Sequence, residues 1–283
     1  MGENNIKLFV AVVLIVTLTS CTVEEERVVR EPFVADAFYP DDPIILEQSI
    51  SEFLDNSEEL GIDNIKAIVV PHAGYVYSGQ VAAHSFKQLD SDYKRVFIFS
   101  DNHNSKALFM GASIPNSTHY KTPLGEVKLS SIKNELLKNK PFVSVPKAHE
   151  THIIEVEVPF LQKTLEDFEV IPIVFSSLSD EGIKNVADII SEYNNDETLF
   201  VFSVDLSHYY TYEEAKQFDS LCITSVLQQD YQEAKKCLTC AKNSLLLLLK
   251  LAEKYEWNMQ LLDYKNSGDT AGNKDRVVGY SAM

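Results

Sequence analysis

Four strand-like runs, each built around four to six consecutive apolar residues, constrain this chain more than any other feature. Strands that are buried on both faces have this pattern. Helix-like segments alternate with the runs, and this alternation predicts a mostly parallel sheet covered by helices on both faces. The runs occupy residues 66–71, 95–100, 170–175 and 199–204, with two further strand-like segments at 259–264 and 276–282.

The domain organisation follows from length and composition. The chain has 283 residues, of which 45% are hydrophobic and 24% charged, as is usual for folded proteins. Between residues 30 and 283 there is no linker rich in Pro, Gly or Ser, and no internal repeat. We therefore predict one domain over residues 31–283, a three-layer α/β/α fold around a mostly parallel sheet.

The first residues are typical of an export signal. Lys7 precedes an apolar run over residues 8–18, which would span about 16 Å as a helix, roughly half of a hydrocarbon core. The run is therefore too short for a membrane anchor, and residues 1–20 are predicted to be a signal peptide.

The segment from Leu18 to Cys21, Leu-Thr-Ser-Cys, resembles the lipobox of bacterial lipoproteins. This resemblance implies that Cys21 is lipidated, that residues 21–30 form an acidic tether, and that the protein is a membrane-anchored lipoprotein of a bacterial cell envelope. Contact with the membrane would then be through the lipid anchor only. The alternative is an ordinary secretory signal in which Cys21 occurs by chance.

The net charge of the chain indicates which kinds of partner it can bind. Forty-two acidic residues against twenty-five basic ones give a formal net charge of −17, and the basic pairs are isolated. Such a surface repels phosphate backbones, so nucleic acid is excluded as an expected partner.

Three cysteines, Cys222, Cys237 and Cys240, lie within the predicted domain. An odd number does not make a disulfide framework. Cys237 and Cys240 have CxxC spacing, but a second such pair is missing and no histidine lies nearby in the sequence. A local disulfide, or two half-buried thiols, is favoured over a zinc site.

Three histidines each follow an apolar run: His72, His103 and His208. The carboxyl ends of parallel strands meet at one edge of a sheet, where ligand crevices form. Because imidazole is a common ligand for transition metals, the three histidines predict a shared site. Each of these histidines, considered alone, could equally well be a loop residue or a helix cap.

The other histidines give weaker signals. His152 lies at the start of a predicted helix and is a further candidate for the site. His84 falls on the apolar side of a predicted helix, which favours a packing role. His119 and His149 are surrounded by polar residues, so we predict that both are solvated.

A series of ordered motifs resembles the Memo-like proteins, from residue 29 to residue 283. This family resembles the B component of the AmmeMemoRadiSam system, which implies an AMMECR-type protein and a radical SAM protein as partners. The implied fold is similar to that of class III extradiol dioxygenases of the LigB type, in which two histidines and a carboxylate hold non-haem iron. The motifs are VREPFVADAFYP (29–40), PHAGYVYSG (71–79), TPLGE (122–126), HIIEVEVPF (152–160), DLSH (205–208), NSGD (266–269) and VVGY (277–280).

The resemblance also implies the metal ligands. His72 and His103 match the two family histidines, and the implied metal is iron or copper. Animal members have a Cys as third ligand; by ungapped spacing, Thr270 stands there in this chain. We therefore predict Asp269 as the third ligand, giving a two-histidine, one-carboxylate triad. The alternative is that Asp269 only caps its turn.

The same resemblance implies acid–base roles for His152, Asp205 and His208. Three functions are then open: a metal-dependent oxidoreductase similar to extradiol dioxygenases, a module that binds a peptide or small ligand, and a partner subunit of the system. Residues 240–244 read Cys-Ala-Lys-Asn-Ser where relatives tend to have Cys-Gly-Arg-Gly-Pro, so the resemblance does not identify a substrate.

Overall fold

The computed structural model describes residues 26–90 and 92–283. The predicted signal peptide and the predicted lipidation site Cys21 lie outside these residues. Within the described ranges, no helix is both long and apolar enough to cross a bilayer.

The described residues form twelve strands and nine α-helices. The strands are β1 (Val29–Arg30), β2 (Ala67–Val70), β3 (Arg95–Asp101), β4 (Gly111–Ser113), β5 (His119–Thr122), β6 (Gly125–Lys128), β7 (Phe142–Val143), β8 (Glu169–Ser176), β9 (Thr198–Ser203), β10 (Asp205–Tyr210), β11 (Asp263–Asn266) and β12 (Val277–Ala282). The helices are α1 (Pro43–Asp55), α2 (Tyr75–Phe86), α3 (Ile132–Leu136), α4 (His152–Glu155), α5 (Val158–Thr164), α6 (Asp180–Ser191), α7 (Tyr212–Leu227), α8 (Tyr231–Ala234) and α9 (Lys242–Tyr255), with a 3-10 turn at Pro146–His149.

The central sheet has six strands in the order β2-β9-β3-β8-β4-β7. The pairs β2–β9, β9–β3, β3–β8 and β4–β7 are parallel, and only β8–β4 is antiparallel. This arrangement confirms the predicted α/β fold with a mostly parallel central sheet.

Both faces of the sheet are covered, which explains the unbroken apolar runs. In β3, Phe97 and Phe99 pack against the layer that contains α6, α7 and α9. Val96 and Ile98, which alternate with them, pack against α1, α2, α4 and α5 on the other face. Since side chains alternate across a strand, a strand between two apolar layers needs apolar residues at every position.

Two smaller sheets flank this core. β10, β12 and β11 form an antiparallel sheet, and β1, β5 and β6 form another. β12 lies close to the edge strand β2, since Met283 exchanges two backbone hydrogen bonds with Val69. β10 begins two residues after β9 ends, so it continues from the carboxyl edge of the central sheet.

The sequence also predicts one helix over residues 155–168, and the structure differs there. Glu155 is the last residue of α4, and a separate helix, α5, begins at Val158 with Pro159 in its first turn. Proline has no backbone N–H to donate, and it is tolerated only in the first turn of a helix. The proline therefore favours a new helix start over continuation of the first helix.

Candidate metal centre

The carboxyl edge of the central sheet brings the predicted histidines together. His72 follows β2, His103 follows β3, and their ring centroids lie 5.1 Å apart. His152, the first residue of α4, has its ring centroid 5.5 Å from each of them. Three elements that are distant in sequence thus contribute imidazoles to one pocket.

Hydrogen bonds set the tautomer of His103 and of a fourth histidine, His208, which lies in β10. Nδ1 of His103 lies 2.7 Å from the carbonyl oxygen of Asp101, and Nδ1 of His208 lies 2.8 Å from that of Leu206. A carbonyl oxygen can only accept, so each Nδ1 carries the proton and each Nε2 keeps a free lone pair. A histidine that binds metal through Nε2 needs this tautomer.

The pocket keeps its histidines neutral. Burial, together with the neighbouring imidazoles His103, His152 and His208, holds the pKa of His72 well below its ordinary value. Burial lowers the pKa of His103 and His208 as well, and it lowers that of His152 to about 4. Neutral imidazoles are the form that ligates a metal or accepts a proton.

Cys240 lies beside these histidines and offers a third potential ligand atom. Its Sγ lies 3.2 Å from Nε2 of His72. One potential ligand atom each from His72, His103 and Cys240 lie within 4.8 Å of one another, the single such group among residues 26–90 and 92–283. Cys240 is not among the ligands predicted from the sequence. The available signal was the Cys that this chain shares with its relatives at the start of segment 240–244.

The structure does not bring Asp269, the predicted third ligand, into that group. Asp269 is exposed, one carboxylate oxygen accepts from the hydroxyl of Tyr212, and the other accepts from the backbone N–H of Asn266. Thr270, likewise exposed, donates its hydroxyl to the carbonyl of Ser267. Asp269 therefore caps its turn, the alternative that its sequence position also allowed.

Asp205, predicted to be an acid–base residue, lies buried beneath the pocket. Its Oδ1 accepts from the backbone N–H of His72 at 2.8 Å, and its own carbonyl accepts from the hydroxyl of Thr239 at 2.7 Å. Burial raises the pKa of its carboxyl to about 7, although hydrogen bonds from His72 and Ala73 oppose the shift.

Asp101 positions the loop that carries Cys240. One of its carboxylate oxygens accepts from the backbone N–H and side-chain amide of Asn243, and the other accepts from the backbone N–H and hydroxyl of Ser244. Asn243 and Ser244 lie in the first turn of α9, whose N–H groups have no partner within the helix. The end of β3, two residues before His103, is thereby fixed to the segment that follows Cys240.

His152 is held by the N-terminal segment of the described chain. Its ring stacks on Phe38 with centroids 4.5 Å apart. Arg30 donates to the carbonyls of His149 and Thr151 and forms an ion pair with the buried carboxylate of Glu155. The segment thus anchors both ends of the short helix that presents His152.

The prediction that His149 is solvated is wrong. Only 3% of its surface is exposed, and its ring nitrogens lie 3.1 Å from the hydroxyl of Tyr120 and 3.2 Å from that of Ser113. His84 lies on α2 as predicted, with Nε2 3.6 Å from a carboxylate oxygen of Asp263. The neighbours Lys147 and Glu150 are exposed, so their polarity carried no information about His149, whose side chain points into the fold.

The two cysteines of the CxxC, for which a local disulfide or two half-buried thiols were predicted, do not pair with each other. Cys237 forms its disulfide with Cys222 of α7, and Cys240 is a free thiol. The disulfide attaches Cys237 to α7, whereas Cys240 lies beside His72.

A buried His–His–Cys pocket at the carboxyl edge of a parallel sheet defines an α/β protein with a candidate metal centre. The sequence model of the family described as Memo-like protein matches residues 30–283. This chain therefore belongs to the Memo-like family.

The curated relatives support the same assignment along nearly their whole length. A MEMO1 family protein of Saccharolobus solfataricus is 34% identical over 280 residues, covering 89% of this chain and 98% of the relative. Homologues from Saccharolobus islandicus and Sulfolobus acidocaldarius are 35% and 32% identical, each with 98% of its length covered and with 89% and 90% of this chain. These three relatives are archaeal.

Proposed function

We propose that this protein binds iron or copper between His72, His103 and Cys240 and uses the metal for redox chemistry on a small molecule. The observation that carries the proposal is the convergence of two imidazole nitrogens and one thiol sulfur within 4.8 Å. The three residues come from three separate loops, so local sequence does not explain their proximity. Imidazole suits iron and copper alike, and a thiolate shifts the preference towards copper.

The charge around the pocket suits a cation. Burial and the nearby carboxyl of Asp205 raise the pKa of the Cys240 thiol well above its ordinary value. Burial also raises the pKa of Asp101 to about 6. A metal ion beside the Cys240 thiol would favour its thiolate, which is the form that ligates a metal.

A bound iron or copper ion would supply electron-transfer chemistry and open positions for oxygen and substrate, as expected for a dioxygenase-like oxidoreductase. The protein's own residues would manage binding and protons. His208 presents an unprotonated Nε2, and His152 is neutral at pH 7, so either can accept a proton from a substrate. Asp205 fixes the backbone of His72 and thereby its ring.

Metal binding by the full-length chain tests this proposal. Elemental analysis after loading with iron or copper should find about one ion per chain in the wild type, and the variant with both His72→Ala and His103→Ala should lose it. His84→Ala serves as the control, since this histidine lies outside the ligand group and contacts Asp263. Equal metal content in the wild type and the double variant would refute the proposal.

A second candidate function, a binding module for a peptide or small ligand, is favoured by exposed apolar side chains. Four of them follow the site histidines closely in sequence: Val76, Leu108, Met110 and Tyr209, with 67%, 90%, 76% and 63% of their surfaces accessible. Where such side chains adjoin one another, they mark interaction sites. Equal ligand affinity with and without metal would favour this function over catalysis.

Partnership and location are further parts of the proposal. By family resemblance, the partners would be an AMMECR-type protein and a radical SAM protein. Lipidation of Cys21 would anchor the protein to the membrane of a bacterial cell envelope. The disulfide between Cys222 and Cys237 supports export, because disulfides are typical of oxidising compartments.

A further inference from the structure

The hydrogen-bond partner of Nδ1 in His72 is of a different kind from the partners of Nδ1 in His103 and His208. His103 and His208 each use a backbone carbonyl two residues earlier. Nδ1 of His72 instead lies 2.8 Å from a side-chain hydroxyl, Oγ of Ser203, the last residue of β9. Both residues are buried, with 1% and 0% of their surfaces exposed.

Ser203 has two further partners. Its Oγ lies 2.6 Å from the carbonyl oxygen of Ile153 and 2.8 Å from Oε1 of Glu157. Glu157 lies between α4 and α5 and is 99% buried, since only 1% of its surface is exposed. The hydroxyl thus joins the helical layer, the central sheet and a candidate metal ligand.

Proton counting decides the direction of these bonds. A serine hydroxyl has one proton and two lone pairs. The carbonyl of Ile153 can only accept, so the serine proton is directed to it. Burial raises the pKa of the Glu157 carboxyl well above its ordinary value, so this group keeps its proton and donates it to one lone pair of Ser203. Ser203 then has only a lone pair to offer His72, and Nδ1 of His72 must be the donor. Nε2 is left unprotonated, facing Cys240.

We propose that Glu157 and Ser203 are positioning residues that hold His72 in its Nδ1–H tautomer and strengthen it as a metal ligand. This inference rests on the proposed metal site. In metal proteins, an imidazole commonly donates its second N–H to an outer group, which fixes the ring and raises its basicity as a ligand. Here a hydroxyl lies between the imidazole and the carboxyl group.

The tautomer of His72 can be measured without any metal. Long-range nitrogen–proton NMR spectra of protein labelled with ¹⁵N-histidine separate the seven histidines by tautomer, and His72→Gln identifies the signal. The metal-free wild type should show His72 protonated at Nδ1. In Ser203→Ala the acceptor is gone, and the proton should move wholly or partly to Nε2. An Nε2–H tautomer in the wild type would overturn the inference.

Metal affinity gives a second readout, with copper(I) as the probe. Ser203→Ala should weaken binding by about 100-fold, and Glu157→Gln by about tenfold, within the range that outer-shell partners show in other metal proteins. Glu157→Gln keeps the side chain's size, so it remains informative if Ser203→Ala fails to fold. Wild-type affinity in both variants would overturn the inference.

Ser100→Ala is the matched control. Ser100 is fully buried in the neighbouring strand, and its hydroxyl donates to the backbone carbonyl of Ser203 at 2.9 Å. Its loss should leave both the tautomer and the affinity unchanged. A loss of affinity equal to that of Ser203→Ala would assign the effect to packing and overturn the inference. A wild type that binds no metal would refute the proposed function, while the NMR result would still decide the tautomer.

Discussion

Sγ of Cys240 lies 3.2 Å from Nε2 of His72, although 168 positions separate the two residues in the chain. Asp205 holds both partners in place. Its carboxylate accepts from the N–H of His72, and its carbonyl accepts from the hydroxyl of Thr239, which precedes Cys240. The relationship between thiol and imidazole therefore depends on a third segment, the start of β10.

Cys240→Ser is expected to lower copper affinity by more than about 100-fold, because even outer-shell partners contribute 10- to 100-fold. The fold should persist, since serine is similar in size. Asp269→Asn is the matched control: that side chain contacts Tyr212 and the turn at Asn266, so affinity should not change. Titration with a competing chelator measures both. A larger loss in Asp269→Asn would return Asp269 to the ligand set.

Asp101→Ala should reduce both stability and metal affinity. It leaves two backbone N–H groups of α9 without their acceptor, at a cost of about 3 kcal/mol in the free energy of unfolding. The Cys240 loop also loses its attachment to β3. Asp42→Ala removes the exposed cap of α1, so it should cost about 1 kcal/mol and spare metal binding. Urea unfolding and metal titration separate the two effects; unchanged affinity in Asp101→Ala would contradict the positioning role.

His149 should make the protein less stable in acid. Burial and the charge of Arg30 lower its pKa from 6.5 to about 3, so below pH 6.5 the unfolded chain binds a proton that the folded protein does not. Stability is therefore lost as pH falls, by about 1.4 kcal/mol per pH unit from this group. His149→Gln should flatten the pH dependence of the unfolding free energy by that amount between about pH 4 and 6. An unchanged slope would show that folded His149 does take up the proton.

The disulfide should contribute to stability without contributing to the metal site. Cys222 and Cys237 are 15 positions apart, and closing a loop of this size stabilises a protein by about 3 kcal/mol. The variant with both Cys222→Ala and Cys237→Ala should therefore unfold at lower denaturant but bind copper normally. In the wild type, alkylation under denaturing, non-reducing conditions should label Cys240 and spare Cys222 and Cys237. Labelling of Cys222 would contradict this pairing.

Cys21→Ser tests the predicted location. If Cys21 is lipidated, the substitution should move the protein from the membrane fraction to the soluble fraction, because acyl chains are the anchor. Fractionation of cells that express each form measures the shift. Equal retention in the membrane would exclude the lipid anchor.

The sequence alone predicted the central architecture, because burial on both faces of a strand is visible as a run of apolar residues. It also predicted that His72 and His103 would lie together, as their ring centroids 5.1 Å apart show. That inference needed only the rule that parallel strands share a carboxyl edge.

The contacts that complete the site were decided by tertiary structure alone. The sequence around Ser203 and Glu157 does not distinguish these two residues from other buried residues. His149 lies among polar residues in the sequence and is nevertheless enclosed by Ser113 and Tyr120. Periodicity describes which side of its own element a residue faces, and it contains no information about which distant loop will pack there.

The third ligand shows this limit most clearly. Spacing along the chain favoured Asp269, because sequence comparison measures separation in residues. Ligand geometry depends on separation in space, which the packing of α9 against the sheet sets through Asp101, Asn243 and Ser244. Those hydrogen bonds hold the Cys240 loop at the histidines, and they exist only once β3 and α9 have assembled.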